Sequence, residues 1–368
     1  MRRSSLARHH TSLAELARLQ ARMAAARTAR RPAEAAPHLT EVTGFGTNPG
    51  GLRMLRFVPP DLPAGAPLVV LLHGCTQTAA GYDLGTGWSD LARRHGFALL
   101  LPEQRQANNP NLCFNWFQPA DTTRDAGEAL SIRQMIARML RDHRLDARRV
   151  CVTGLSAGGA MASVMLATYP EVFAAGAIIA GLPYGAAASM QEAFEAMATG
   201  RPRPARAWGE LVRAASPHRG PWPRISIWQG EADATVRPVN AEQILRQWTD
   251  LHGLAAPSRL EPTRAGSHRR RSWRDAEGRV LVEMHSIAGL AHGVPIHPGE
   301  GEGRGGRAGP FILDAGISST HAIAEFFGLL PALPNRPEPA ARTGSAGEPQ
   351  DTEGIIRRAL RMAGLLKP

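Results

Sequence analysis

Short apolar runs alternate with amphipathic stretches along most of the chain. Residues 68–72 (Leu-Val-Val-Leu-Leu) are continuous apolar β-formers, and 97–101 is a second such run. Runs of this kind fit central strands covered on both faces. Further strands are predicted at 52–58, from Val150 into Gly154, at 173–181, at 225–228 and at 279–287. Between them lie helical patterns at 88–96, 125–143, 239–252 and 319–329. In the second of these Ala129, Ile132, Met135, Ile136 and Met139 share one face, and in the last Ile323, Phe326 and Phe327 point inward. Strand and helix signals in alternation predict an α/β fold, a mostly parallel sheet with helices on both faces.

The pattern changes at both ends and at two internal places. Residues 1–40 are rich in Ala and Arg, with Leu13, Leu16, Leu19 and Met23 at helical spacing, and read as a basic, partly helical tail. Residues 41–331 form the α/β domain; within it, 185–220 is helical with Pro- and Arg-rich breaks and reads as a lid or insertion. A Pro/Ala/Gly linker and a short basic amphipathic helix at 355–366 fill 332–368. Residues 102–123 form a long polar loop carrying Asn108, Asn109, Asn111, Cys113, Asn115 and Trp116. Long loops inside compact domains are usually functional.

Composition narrows the function classes. At 368 residues, with 43% apolar and 20% charged content, the chain suits a soluble globular protein with a full core. The net charge of +11 suggests a nucleic-acid partner, but the basic residues are almost all arginines, with Lys367 the single lysine. They are spread over tails and loops without interleaved aromatics, so nucleic acid is not expected as a partner. No apolar run approaches the roughly 18–20 residues of a membrane span. The charged start, Met1 to His10, has no apolar segment behind it, which argues against a secretory signal and for the cytoplasm. Three cysteines, Cys75, Cys113 and Cys151, are too few for a disulfide scaffold and match no zinc spacing. Neither a metal nor a cofactor is expected.

The chemistry centres on Gly154-Leu155-Ser156-Ala157-Gly158, where the strand from Val150 ends and small residues follow. A tight strand-to-helix turn lifts a serine hydroxyl clear of its neighbours, and flanking glycines let the backbone bend. Four strand ends carry suggestive residues: Cys75, Ser156, Asp233 and His292. Open α/β sheets gather their chemistry at such ends. The order serine, acid, histidine is that of the α/β-hydrolases. Ser156 is the candidate nucleophile, His292 the base, and Asp233 the group that orients the imidazole. The N–H groups of Cys75 and Ala157 are candidates for the oxyanion hole. Rival histidines are His268, His285, His297 and His321; His285 shares a strand face with Glu283 and is expected to be structural or exposed. Asp250 and Asp275 are weaker acid candidates because neither follows a predicted strand, and His73 is expected to shape its loop.

From about Phe45 to Leu329 the chain resembles the polyhydroxybutyrate depolymerase family of esterases, α/β-hydrolases of the type-1 short-chain-length polyhydroxyalkanoate depolymerase kind. The matching pieces include Leu72 to Gln77 (LHGCTQ), Pro102-Glu103-Gln104, Asn111 to Phe117 (NLCFNWF), and Arg124 with Gly127-Glu128. Further on come Gly154 to Met161 (GLSAGGAM), Gly181 to Gly185 (GLPYG), Gly230 to Asp233 (GEAD) and Gly289 to His292 (GLAH). The resemblance implies the Ser156, Asp233 and His292 roles and cofactor-free hydrolysis of esters in short-chain 3-hydroxyacid polyesters or related small esters. It also implies Trp116 near an acyl pocket, a Cys75–Cys113 disulfide, and an extracellular location. Family members that degrade polymer often append a substrate-binding module; none is visible here, so oligomers and soluble esters stand beside polymer. The same triad would serve an esterase releasing acetyl or feruloyl groups from carbohydrate. A third reading is a non-catalytic scaffold that binds polyester granules.

Overall fold

The computed structural model describes residues 38–254, 263–265 and 267–330. Most of the tail expected at 1–40, with its helical Leu13–Met23 pattern, and the linker and helix expected at 332–368 lie outside the described residues.

In chain order the strands are β1 (Thr40–Val42), β2 (Arg53–Phe57), β3 (Leu68–Leu72), β4 (Ala98–Glu103), β5 (Val150–Leu155) and β6 (Ala175–Ile179). They continue as β7 (Arg224–Gly230), β8 (Thr263–Ala265), β9 (His268–Arg274), β10 (Val280–Ile287), β11 (Val294–Ile296) and β12 (Ile312–Asp314). Ten strands make one sheet, in the order β1-β2-β4-β3-β5-β6-β7-β10-β9-β8. The six central strands, β4 to β10 in that order, are parallel, and antiparallel strands are added at both edges. Every residue of β3, β4, β5 and β6 is buried, which is why these segments are apolar without alternation.

The period-two geometry of a strand divides each run between two cores. Leu68, Val70 and Leu72 of β3 and Val150 and Val152 of β5 face the helices Gly127–His143 and Ala157–Thr168. Val69, Leu71, Cys151 and Leu155 face the other side, with Trp88 and Leu91 of helix Trp88–His95 and Ile323, Phe326 and Phe327 of helix Ser319–Phe327. Residues 185–220 contain helices Met190–Thr199 and Ala205–Ala215. The second packs its fully buried Trp208 inward and ties to helix Val239–Leu251 through Arg213 and Asp250 at 2.7 Å.

Helix Ala79–Thr86 and strand β9 are among the elements that were not expected. Helix Ala79–Thr86 contains Gly81 and Gly85, which read as loop, yet the Thr78 side chain caps it by accepting from the Gly81 N–H. Strand β9, His-Arg-Arg-Arg-Ser-Trp-Arg, looked like a basic loop because it buries one side chain, Trp273. It forms because β10 supplies its hydrogen bonds and acidic neighbours supply its counter-charges. Arg269 pairs with Glu231 at 2.7 Å, Arg270 with Glu283 at 2.6 Å, and Arg271 with Glu242. Charged residues near a sheet edge also discourage pairing with other chains.

Candidate active site

Strand β5 hands the chain to helix Ala157–Thr168 through one residue, Ser156, with φ 57° and ψ −117°. A side chain in this backbone region is strained, and such strain concentrates at functional sites. The turn is crowded: a Cβ on Gly158 would run into the carbonyl oxygens of Leu72 and His73, and one on Gly154 into that of Gly158. The Ser156 N–H donates to Ile179 O at 2.9 Å, fastening the turn to the end of β6.

The loops after β7 and β10 are zipped together. Glu231 N–H donates to Ile287 O at 2.9 Å and Ala232 N–H to Leu290 O at 3.0 Å, which sets Asp233 opposite His292. Asp233 is 1% exposed and His292 6%. Asp233 Oδ1 accepts from the N–H groups of Thr235 (2.8 Å) and Val236 (2.9 Å), while Oδ2 lies 3.2 Å from the donor Gln229 Nε2 and 2.7 Å from His292 Nδ1. A carboxylate can only accept, so Nδ1 carries a proton and Nε2 is the bare nitrogen of the neutral ring. That Nε2 lies 2.9 Å from Ser156 Oγ. The three side chains expected to work together therefore form one hydrogen-bonded chain.

The fourth strand end brings up Cys75. Thr76, at φ 64°, turns the chain so that its N–H donates to Asn111 O at 2.6 Å, joining this loop to the Asn-rich one. Cys75 and Cys113 are disulfide-bonded, which closes the same junction covalently. Among the described residues, neither the Cys75 nor the Ala157 N–H donates to a protein acceptor. Trp116 is 8% exposed, stands edge-on to Phe117 at 5.5 Å, and shares an apolar cluster with Ala157, Cys113 and Leu182. His73 does shape the loop, with Nδ1 2.8 Å from Gly74 O.

The rivals His268, His285 and His321 are engaged elsewhere. His285 is buried, against the alternative that it is exposed: it stacks on Trp228 at 3.8 Å, within 3.1 Å of Glu283, and its Nδ1 meets His268 at 2.8 Å. Burial first, and then neighbouring His285 and Arg270, hold His268 down at about 4. Glu283 illustrates competing effects: burial alone would raise it, but hydrogen bonding and charge from His285, with Arg270 and Ser226, hold it at about 2. Asp275 does follow a strand, contrary to expectation, but that strand is β9. Because β9 runs antiparallel to β10, Asp275 comes at the opposite edge of the sheet from Asp233 and His292. His321 lies 3.6 Å from Glu325 in the closing helix.

Sequence reasoning missed the supports of the site. Gln229 braces Asp233 from within β7, and Phe311 meets the His292 ring edge-on at 5.9 Å. Gln77 accepts from the Gly74 N–H at 2.8 Å through its side chain. Of the eight non-glycine residues with positive φ among the described residues, five, Thr76, Leu112, Ser156, Ala180 and Phe311, belong to the site or to the loops beside it, while Asn48, Asp125 and Arg144 do not. Among the described residues no group of His, Cys, Asp and Glu has a geometry that could hold a metal, and no helix is long and apolar enough to cross a membrane.

The model of the esterase PHB depolymerase family matches residues 54–272. The chain belongs to this family. As a member it is a serine hydrolase acting on carboxylic esters. Poly(3-hydroxyalkanoate) depolymerase C of Paucimonas lemoignei is 48% identical over 79% of this chain and 70% of its own length. Acetylxylan esterase of Coprinopsis cinerea is 32% identical over 71% of this chain and 70% of its own, and feruloyl esterase B of Thermothelomyces thermophilus 35% over 60% and 77%. The solved acetyl xylan esterase from Aspergillus awamori superposes with a TM-score of 0.68 at 27% identity, covering 79% of this esterase and 99% of that chain. The fold is that of the α/β-hydrolases.

The disulfide offers a direct check on the esterase. Cross-linking across 38 residues is expected to stabilise by about 2–4 kcal/mol. Cys113→Ser should lower the unfolding free energy by that amount and slow ester cleavage, because the loop beside Cys75 is released. Thiol titration of the unreduced, denatured protein should count one free thiol, Cys151; a count of three would end this account.

Proposed function

We propose that this esterase cleaves the ester bonds of short-chain 3-hydroxyalkanoate polyesters or their oligomers through an acyl-enzyme on Ser156. His292 Nε2 takes the Ser156 proton as Oγ attacks the ester carbon. The N–H groups of Cys75 and Ala157 receive the negative charge that develops on the ester oxygen, a contribution of about 3 kcal/mol for each such donor. His292 then passes the proton to the departing alkoxide, leaving the acyl group on Ser156. Water, deprotonated by the same imidazole, attacks the acyl-enzyme and restores the serine. Asp233 holds the tautomer throughout and stabilises the imidazolium. Trp116 lines the acyl side of the pocket, 41–331 is the catalytic domain, and 185–220 is an insertion on it.

The observation that carries the catalytic assignment is the unbroken chain from Ser156 Oγ through His292 to Asp233 at 2.9 and 2.7 Å. For the substrate, the support is the 48% identity to a poly(3-hydroxyalkanoate) depolymerase, against 32–35% to the acetylxylan and feruloyl esterases. The second reading, an acetyl or feruloyl esterase acting on carbohydrate, has the superposition on an acetyl xylan esterase in its favour. An extracellular site of action is supported by the Cys75–Cys113 disulfide, since such bonds persist in oxidising compartments.

A p-nitrophenyl ester series measured beside hydroxybutyrate oligomers, acetylated xylan and feruloylated sugars separates the readings. The polyester reading expects an optimum near four acyl carbons and turnover of the oligomers. An optimum at long acyl chains, or faster release of acetate or ferulate from the sugars, would overturn it.

A further inference from the structure

The Asn-rich loop is held by an acid that has no counter-charge among the described residues. Glu128 opens helix Gly127–His143 and is 0% exposed. Its Oε1 accepts from Gln104 Nε2 at 2.5 Å and its Oε2 from the Asn115 N–H at 2.9 Å, both neutral donors. The charged group that acts on it is Asp121, of like sign; burial first and then Asp121 push the Glu128 carboxyl up to about 8. Burying an acid without a cation costs the fold free energy, so its place needs a reason beyond stability.

That reason lies in where its contacts lead. Gln104, while donating to Glu128, also donates through Nε2 to Cys113 O at 3.0 Å, and Cys113 is bonded to Cys75. The Gln104 N–H donates to His73 Nε2 at 3.2 Å, and His73 is bound to the Gly74 carbonyl that precedes Cys75. Two routes thus run from one carboxyl to the peptide that carries the Cys75 N–H. The loop does not need Glu128 to hold its own turns. Asn109 Oδ1 accepts from Asn111 N–H (3.0 Å) and Cys113 N–H (3.3 Å), and Asn109 Nδ2 reaches Asn115 Oδ1 (3.1 Å). Glu128 instead joins the folded loop to the end of β4, where Gln104 begins the polar stretch, and so to the neighbouring end of β3.

We propose that Glu128 is a positioning residue, which acts through Gln104, His73 and Cys113 to aim the Cys75 amide at the developing oxyanion. The proposal rests on the reading of Cys75 as an oxyanion donor. A donor that is shifted and not deleted should cost less than its removal, about tenfold in rate.

The test is steady-state hydrolysis of p-nitrophenyl butyrate by the wild type, Glu128→Gln, Glu128→Ala and Gln104→Leu, with thermal unfolding of each. A neutral amide at 128 keeps one acceptor for Gln104 or Asn115, so kcat should fall about threefold in Glu128→Gln and about tenfold in Glu128→Ala, with KM within twofold. Gln104→Leu, which cuts the bridge to Cys113 and leaves the Asn115 contact, should also lower kcat and not raise KM. A purely structural Glu128 would lower the melting temperature and leave kcat of the folded fraction unchanged, and that result would overturn the proposal. If Glu128→Ala does not fold, an unchanged kcat in Gln104→Leu does the same. A wild type that cleaves no ester would sink the esterase reading and this one together; an active wild type with unaffected variants sinks this one alone.

Discussion

Replacing Ser156 by Ala is expected to abolish ester cleavage, with a fall in kcat of about 10⁵–10⁶ and little change in fold. The size follows from what remains. Without Oγ the imidazole has no alcohol to deprotonate, and the two amides can at best polarise an ester for attack by water. Stability should barely change, because Ala keeps the Cβ that makes φ 57° costly. Ser156→Gly separates the two consequences of the turn: equally inactive, it sheds the Cβ strain and should be more stable than Ser156→Ala by about 1 kcal/mol. Hydrolysis of p-nitrophenyl butyrate together with denaturant unfolding measures both. Residual activity above one part in a thousand in either variant would mean that another nucleophile does the work.

The sheet was legible because its central strands are covered on both faces, so Leu68–Leu72 and its neighbours announce themselves by apolarity alone. The grouping of the three side chains was legible for a related reason. A nucleophile turn needs small residues at Gly154 and Gly158, and a parallel sheet delivers its loops to one edge, so Ser156, Asp233 and His292 could be paired by order before any distance was known. Strand β9 was illegible because its side chains answer to partners distant in sequence. Four arginines in seven residues look like a solvated loop until Glu231, Glu242 and Glu283 are placed beside them. Missing β9 also misplaced Asp275, whose position depends on the direction of that strand. The supports of the site were hidden likewise. Nothing in the spacing of Gln229 or Glu128 shows that one braces Asp233 and the other the Asn-rich loop.

Asp233→Asn is expected to cost about 10⁴ in kcat while leaving KM within a few-fold, and the local geometry says why. An amide at this position could in principle present either its oxygen or its nitrogen to His292. The surroundings remove that freedom. The Oδ1 position receives the N–H groups of Thr235 and Val236 at 2.8 and 2.9 Å, and a nitrogen there would leave two buried donors facing a third. The amide oxygen must therefore take that side, which turns the NH₂ group toward His292 Nδ1. To accept from it, the imidazole must carry its proton on Nε2, and that nitrogen can no longer take the proton of Ser156. The ring is held in place with the wrong tautomer. The turned amide also points a donor at Gln229 Nε2, 3.2 Å from the present Oδ2, so a stability loss of about 1–2 kcal/mol should accompany the kinetic one. Gln229 Nε2 also donates to the carbonyls of Gly230 and Val236 at 3.2 and 3.1 Å, so that side chain is not free to turn its oxygen to the new NH₂. An Asp233→Asn variant that keeps a tenth of the wild-type kcat would show that the base does not depend on Asp233 for its tautomer.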